Sequence, residues 1–115
     1  MKVGVVGAGK FGTNHIRTLH QLGQLHGVAE LNEGLRAKAA EEFGCPVFAT
    51  TAELIASGVE AVVIATPAHV HHPVAKEVLS AGIPCLVEKP LTLDVAEGEE
   101  LVKIAKEKCV TLMVG

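Results

Sequence analysis

The feature of this sequence that most constrains its fold is a regular alternation of short apolar runs with longer segments of helical period. The runs are apolar throughout rather than at every second position, which is typical of strands covered on both faces in a parallel sheet. The predicted strands are Val3 to Val6, Gly27 to Glu30, Val47 to Phe48, Ala61 to Ala65, Cys85 to Glu88 and Val110 to Val114.

The segments between the strands carry helix start and stop signals, with Asn32 and Asp94 as candidate N-caps and Gly44 as a stop. The predicted helices are Lys10 to Leu22, Glu33 to Phe43, a short one from Thr50 to Gly58, one from Pro73 to Gly82 and one after Asp94. Six strands separated by five helices predict a single α/β domain: a doubly wound (Rossmann) parallel six-stranded sheet with helices on both faces.

Composition narrows the classes of partner. The chain has 115 residues, a formal net charge of -3 and scattered Lys and Arg residues, which argues against nucleic acid or an anionic membrane as the main partner. No apolar run approaches the length of a membrane span. Three cysteines without CxxC spacing imply neither a disulfide framework nor a zinc site, so we expect a cytoplasmic protein and no bound metal.

A glycine motif, "GAGKFG", follows the first predicted strand and places Gly7, Gly9 and Gly12 in the pattern G-x-G-x-x-G. Such a loop turns sharply, lets a pyrophosphate approach the backbone and presents the free N–H groups of a helix start to it. Lys10 and Phe11 belong to the same predicted cofactor site. The alternative is a glycine-rich turn without a ligand. A P-loop is excluded because Thr13 stands where Lys is required.

Glu30 ends the second predicted strand, at about the 20-residue separation from the glycines that is expected of an acid binding the adenosine ribose. A carboxylate there repels a 2′-phosphate, so NAD is favoured over NADP. Arg36 and Lys38 lie nearby and soften that preference. The alternative is a solvated charge at the end of a strand.

The fourth predicted strand runs into "ATPAHVHHP". Thr66 and Pro67 form a stiff turn whose hydroxyl and backbone are placed to meet the phosphate or nicotinamide ribose of a cofactor. His69, His71 and His72 invite a metal interpretation, but they have no partner carboxylate or Cys in register. Ordinary polar loop or helix-cap histidines are the favoured interpretation.

The fifth predicted strand runs into "EKP", with Glu88, Lys89 and Pro90 at its carboxyl end. Ligands of doubly wound sheets bind at this edge, so Lys89 is predicted to project toward the nicotinamide, with Glu88 holding or tuning it and Pro90 fixing the exit of the chain. A lysine there can donate a hydrogen bond to a substrate oxygen or take part in proton transfer. The alternative is an ordinary surface lysine.

Together these motifs resemble the N-terminal domain of the glucose-fructose oxidoreductase, inositol dehydrogenase and rhizopine catabolism family, written Gfo/Idh/MocA. The matching stretches are "GAGKFGTNH", "GVAEL", "ATPAHVHHPVAKEVLSAGIPCLVEKP" and "TLMVG", in family order along essentially the whole chain. The combination of G-x-G-x-x-G, T-P-x-x-x-H and E-K-P is more specific than any of its parts. Glu30 departs mildly from the family, in which Asp is more frequent.

The resemblance implies hydride transfer between a nicotinamide cofactor and a hydroxyl carbon of a sugar, cyclitol or related substrate. By position, the resemblance implies that Gly7, Gly9 and Gly12 cradle the pyrophosphate and that Glu30 binds the adenosine ribose. It implies that Thr66, Pro67 and His71 line the cofactor cleft. It also implies that Glu88, Lys89 and Pro90 form the signature beside the nicotinamide, with Lys89 catalytic, and His15 matches a recurrent position in the first helix.

Family members continue into a second α/β domain that supplies substrate contacts and usually the oligomer interface. We therefore expect residues 1–115 to be the dinucleotide-binding domain of a homo-oligomeric dehydrogenase, excised from it rather than naturally short, and to bind cofactor with little turnover. One alternative is a non-catalytic module that holds or senses a dinucleotide. A nucleotide-binding methyltransferase shares the glycine loop and the acid, but gives no reason for Glu88, Lys89 and Pro90.

Overall fold

The computed structural model describes all 115 residues, and its strands form one parallel sheet. The strands are β1 (Val3–Val6), β2 (Leu25–Ala29), β3 (Val47–Phe48), β4 (Ala61–Ile64), β5 (Cys85–Val87) and β6 (Leu112–Val114). Their order across the sheet is β3-β2-β1-β4-β5-β6, and every neighbouring pair is parallel. The predicted doubly wound fold is confirmed, and strand order reverses between β1 and β4.

Five helices connect the strands: α1 (Lys10–Gln21), α2 (Glu33–Phe43), α3 (Thr51–Ala56), α4 (His71–Ser80) and α5 (Val95–Lys108), with a single 3₁₀ turn at Ala68–Val70 before α4. None of them combines the length and the apolar character that crossing a membrane requires.

The sheet separates two apolar cores, and successive residues of one strand serve opposite sides. In β4, Val62 and Ile64 pack with α4 and α5 residues such as Leu79 and Leu101, whereas Val63 packs with the α1 residue Ile16. Because both faces are covered, almost every residue of the central strands β1 and β4 is buried. This explains why the strands are apolar throughout.

Several strands end one residue earlier than predicted, although their hydrogen bonds continue. The N–H groups of Glu30, Ala65 and Glu88 donate to carbonyl oxygens of the neighbouring strands at 2.8–3.0 Å, while the chain beyond them already turns away. The start of β6 differs for another reason. The N–H group of Val110 donates back to the carbonyl of Ala105 in α5, so this residue still belongs to the C-terminal cap of the helix.

Helix caps follow the sequence signals closely. The side chain of Asn32 accepts a hydrogen bond from the N–H group of Leu35, and Asp94 caps α5 in the same way. Thr50 and Glu53 form a complete capping box at the start of α3. These interactions fix where each helix starts relative to the strand before it.

The C-termini of α2 and α5 provide a matched test of backbone strain. Gly44 and Cys109 both adopt left-handed conformations, with φ of 61° and 55°, but only glycine does so without steric cost. Replacing Gly44 by Ala is expected to destabilise the chain by about 1 kcal/mol, and replacing the exposed Cys109 by Gly to stabilise it by up to about 1 kcal/mol. Urea unfolding measures both; the same sign for the two variants would contradict the strain argument.

Candidate functional site

A cavity of about 590 Å³ opens at the carboxyl edge of the sheet, where strand order reverses between β1 and β4. This is the position at which doubly wound sheets bind ligands, and the volume is that of a small-molecule site. Its wall includes most of the predicted cofactor residues: Gly7, Gly9, Lys10, Phe11, Glu30, Thr66 and Pro67.

The three glycines of the loop after β1 do three different things. At Gly7 the backbone has a φ of 105°, and a Cβ atom would lie 2.7 Å from the carbonyl oxygen of Ala65. At Gly12 a Cβ atom would lie 1.9 Å from the carbonyl oxygen of Gly7, so only glycine lets α1 sit this close to the loop. At Gly9 a Cβ atom would meet nothing within 4 Å, because this residue faces the open cavity.

The start of α1 is left free to bind an anion. Gly9 is its N-cap and provides no side-chain cap, so the first N–H groups of this 12-residue helix have no partner within the helix. The ammonium group of Lys10 adds positive charge at the same wall. Opposite, the Oγ1 atom of Thr66 is buried and lacks a hydrogen-bond partner. A buried hydroxyl of this kind is normally paired, so a ligand group is the missing partner that it suits.

Glu30 lines the same cavity and is already held in place. One carboxylate oxygen accepts a hydrogen bond from the N–H group of Ala8 at 2.7 Å, and the other from the N–H group of Asn32 at 2.9 Å. Its side chain therefore connects the end of β2 to the glycine loop. Arg36 donates to the carbonyl of Glu30 at 2.9 Å, so its guanidinium is partly committed to the backbone.

The structure places His71 differently from the prediction. Its ring is only 1% exposed and lies behind the cavity, where Nδ1 is 2.7 Å from the carbonyl oxygen of Pro90 and Nε2 is 2.9 Å from that of Thr66. The neighbouring residues Val70 and Val74 line the cavity in its place. The neighbouring His72 contacts Glu97 and Glu100 instead, and its hydrogen bond lowers the pKa of Glu100, with Lys76 adding to the effect.

Glu88, Lys89 and Pro90 follow β5, next to the cavity but outside its wall. A carboxylate oxygen of Glu88 contacts Nε2 of His15, on α1. The N–H group of Lys89 donates to the carbonyl of Gly115 at 2.9 Å, while its side chain is exposed and joins none of the ion pairs of the structure. The lysine is thus free to bind a group outside the chain.

Sequence reasoning missed part of the wall. Leu31 and Leu35 supply an apolar side beside Glu30, and Ala49, Thr50 and Thr51 supply the loop after β3. The rule that ligands bind beyond the carboxyl ends of the strands pointed to this loop, because β3 pairs with β2 and ends at the same edge. The apolar residues carry no such signal, since nothing in their type separates them from core residues.

The chain matches, over residues 1–115, the model of an oxidoreductase family with an NAD-binding Rossmann fold. The chain belongs to the Gfo/Idh/MocA oxidoreductase family. It is an NAD-binding Rossmann domain of that family, in agreement with the free helix start and the glycine loop.

Relatives of this Gfo/Idh/MocA domain are named as dehydrogenases. The UDP-N-acetylglucosamine 3-dehydrogenase of Acidithiobacillus ferrooxidans is 38% identical over all of this chain and 36% of its own length, and its solved structure superimposes with a TM-score of 0.95. An inositol 2-dehydrogenase of Leifsonia xyli subsp. xyli is 39% identical over 90% of this chain and 32% of its own length.

A third relative was solved with ligands bound. The WlbA dehydrogenase of Bordetella pertussis, in complex with NADH and UDP-GlcNAcA, has a TM-score of 0.93 and 31% identity over 99% of this chain and 36% of its own. The present chain therefore spans about a third of the length of the relatives it matches.

The residues at the cavity suit a nicotinamide dinucleotide. The uncapped start of α1 and the open space at Gly9 suit a pyrophosphate, and the carboxylate of Glu30 suits ribose hydroxyls. The buried hydroxyl of Thr66 offers a further polar partner on the β4 side. Several polar groups thus line one cavity, as a ligand with several polar parts requires.

Gly9 and Gly12 form a matched pair for testing the pyrophosphate site. Replacing Gly9 by Ala adds a methyl group to open space, so we expect unchanged thermal stability and NADH binding weakened by about tenfold or more, because the methyl group occupies the path of the ligand. Replacing Gly12 by Ala forces α1 away from Gly7 and is expected to lower both stability and binding. Calorimetric titration and thermal unfolding measure these effects. Full NADH affinity in the Gly9 variant would place the ligand elsewhere.

Proposed function

We propose that this chain is the cofactor half of a dehydrogenase that transfers hydride between NAD(H) and a hydroxyl carbon of a sugar, cyclitol or related substrate. The observation that carries the proposal is the cavity itself, whose wall includes both a free helix start and a fixed carboxylate. The names of the relatives, which include a UDP-N-acetylglucosamine dehydrogenase and an inositol dehydrogenase, support the substrate class.

Different residues of the chain hold different parts of the cofactor. The N–H groups at the start of α1, together with Lys10, bind the pyrophosphate, and Gly9 leaves room for it. Glu30 binds the adenosine ribose, Leu31 and Leu35 pack against the base, and Thr66 with Pro67 holds the opposite half. Phe11, which is 65% exposed at the mouth, covers the bound pyrophosphate from solvent.

Lys89 acts on the substrate in this proposal. When bound, the nicotinamide supplies the hydride acceptor or donor. The ammonium group of Lys89 donates a hydrogen bond to the substrate oxygen and stabilises the negative charge that develops there as the hydroxyl proton passes to a base outside residues 1–115. Its exposure and its lack of an ion-pair partner support this role.

Further parts of the proposal concern the longer protein. A second domain beyond residue 115 provides the other substrate contacts, and the match to about a third of each relative supports this. Assembly into a homo-oligomer rests on the family resemblance alone. A cytoplasmic location is supported by three cysteines that are all unpaired.

The preference for NAD over NADP is tested at Glu30. The wild-type chain is expected to bind NADH at least about tenfold more tightly than NADPH, because the carboxylate repels a 2′-phosphate. Replacing Glu30 by Gln removes the charge but keeps an oxygen for the N–H group of Ala8, so the preference is expected to shrink while NADH binding persists. Parallel titrations with the two cofactors measure it.

Replacing Glu30 by Ala is the matched control, because it removes both the charge and the acceptor for Ala8. We expect this variant to bind both cofactors weakly, since the glycine loop then loses a fixed partner. A wild-type chain that binds NADPH as tightly as NADH would overturn the assignment of Glu30 as the determinant of preference.

The role of Lys89 separates an enzyme from a non-catalytic binding module. Replacing Lys89 by Ala in the chain is expected to leave NADH affinity unchanged, because its side chain lies outside the cavity wall. In the longer protein the same change is expected to lower kcat by about a hundredfold, the usual size of a general acid or base effect. A longer protein that binds NADH but turns over no polyol or sugar would support the binding-module alternative.

A further inference from the structure

The two residues that flank Lys89 are each held by a histidine from a different helix. His15 of α1 contacts the carboxylate of Glu88, the residue before the lysine. His71 of α4 contacts the carbonyl of Pro90, the residue after it. The N–H group of Lys89 itself is bound to the carbonyl of Gly115 beyond β6. The backbone at Lys89 and Pro90 is therefore held by Gly115 and His71, while His15 holds the side chain of Glu88.

We propose that His71 is a positioning residue for Lys89, because it fixes the backbone that carries the lysine. The proposal rests on the proposed function, in which the ammonium group of Lys89 binds the substrate oxygen. His71 itself does not line the cofactor cavity.

The environment of His71 supports this positioning role. The ring is 1% exposed, and both nitrogens lie within hydrogen-bond distance of carbonyl oxygens, those of Pro90 and Thr66. A carbonyl only accepts hydrogen bonds, so the ring donates to at least one of the two oxygens in either protonation state. Thr66 belongs to the cavity wall, so one side chain connects the wall after β4 to the loop that carries Lys89.

The positioning role of His71 is tested by amide hydrogen exchange in the full 115-residue chain. In the variant His71→Gln the amide nitrogen replaces Nε2 and retains the contact with Thr66, whereas in His71→Asn it replaces Nδ1 and retains the contact with Pro90. We expect the amide of Lys89 to exchange about tenfold faster in the Gln variant, the effect of losing one hydrogen bond of ordinary strength, and close to the wild-type rate in the Asn variant.

The amide of Val28, which bonds to Pro46 on the other half of the sheet, is the internal reference. Two outcomes would overturn the positioning role. In the first, the exchange rates of the Lys89 and Val28 amides increase by the same factor, which means that His71 serves global stability. In the second, the Lys89 amide exchanges as fast in the Asn variant as in the Gln variant. His71→Phe, which keeps a ring but offers no donor, is expected to give the largest effect confined to Lys89.

A parallel titration with NADH keeps the two proposals apart. If the wild-type chain fails to bind NADH, the proposed function fails, whatever the exchange rates show. If the chain binds NADH but the exchange rate of the Lys89 amide contradicts the expectation, only the positioning role of His71 fails.

Discussion

The close approach of α1 to the end of β1 is the constraint on which the rest of the structure depends. A single methyl group at Gly12 would lie 1.9 Å from the carbonyl oxygen of Gly7. Because that contact admits no side chain, the helix starts directly at the loop, and its N–H groups face the cavity without a cap. The same approach brings His15, on the second turn of α1, within reach of the residue after β5.

The electrostatics of the cavity are asymmetric. The helix start and Lys10 make one region positive, while Glu30 makes another negative. A dinucleotide carries negative charge in the middle and neutral hydroxyls at its riboses, so its pyrophosphate suits the positive region and one of its riboses suits Glu30. In the proposed orientation the adenosine half lies near β2 and the nicotinamide half on the side of β4 and β5.

Much of the fold could be predicted from the sequence because its signals are local. Continuous apolar runs marked the strands, and cap residues such as Asn32, Thr50 and Asp94 marked helix starts that the structure reproduces. The site residues on the first βα turn and the end of β2 were predictable for the same reason, since spacing along the chain fixes their relation. Strand ends were less accurate, because ladder hydrogen bonds continue past the last residue of regular geometry.

What escaped prediction depends on contacts between distant segments. His71 is buried between the carbonyls of Thr66 and Pro90, which follow different strands, and Glu88 contacts a residue 73 positions earlier because α1 packs against the sheet. Residue type alone does not distinguish a histidine that lines a cleft from one that is buried behind it and hydrogen-bonded to the surrounding loops. The same limit applies to Leu31 and Leu35, whose apolar character suits a core as well as a cavity wall.

The hydrogen bond from Ala8 to Glu30 has a consequence for how cofactor preference can change in this lineage. A substitution that makes room for a 2′-phosphate, such as a shorter residue at position 30, also removes the acceptor that orders the glycine loop. A lineage moving toward NADP therefore needs a second change that supplies a new acceptor for the amide of Ala8. On the proposed role of Glu30, cofactor preference and the order of the glycine loop depend on the same carboxylate, so a change at this one position alters both.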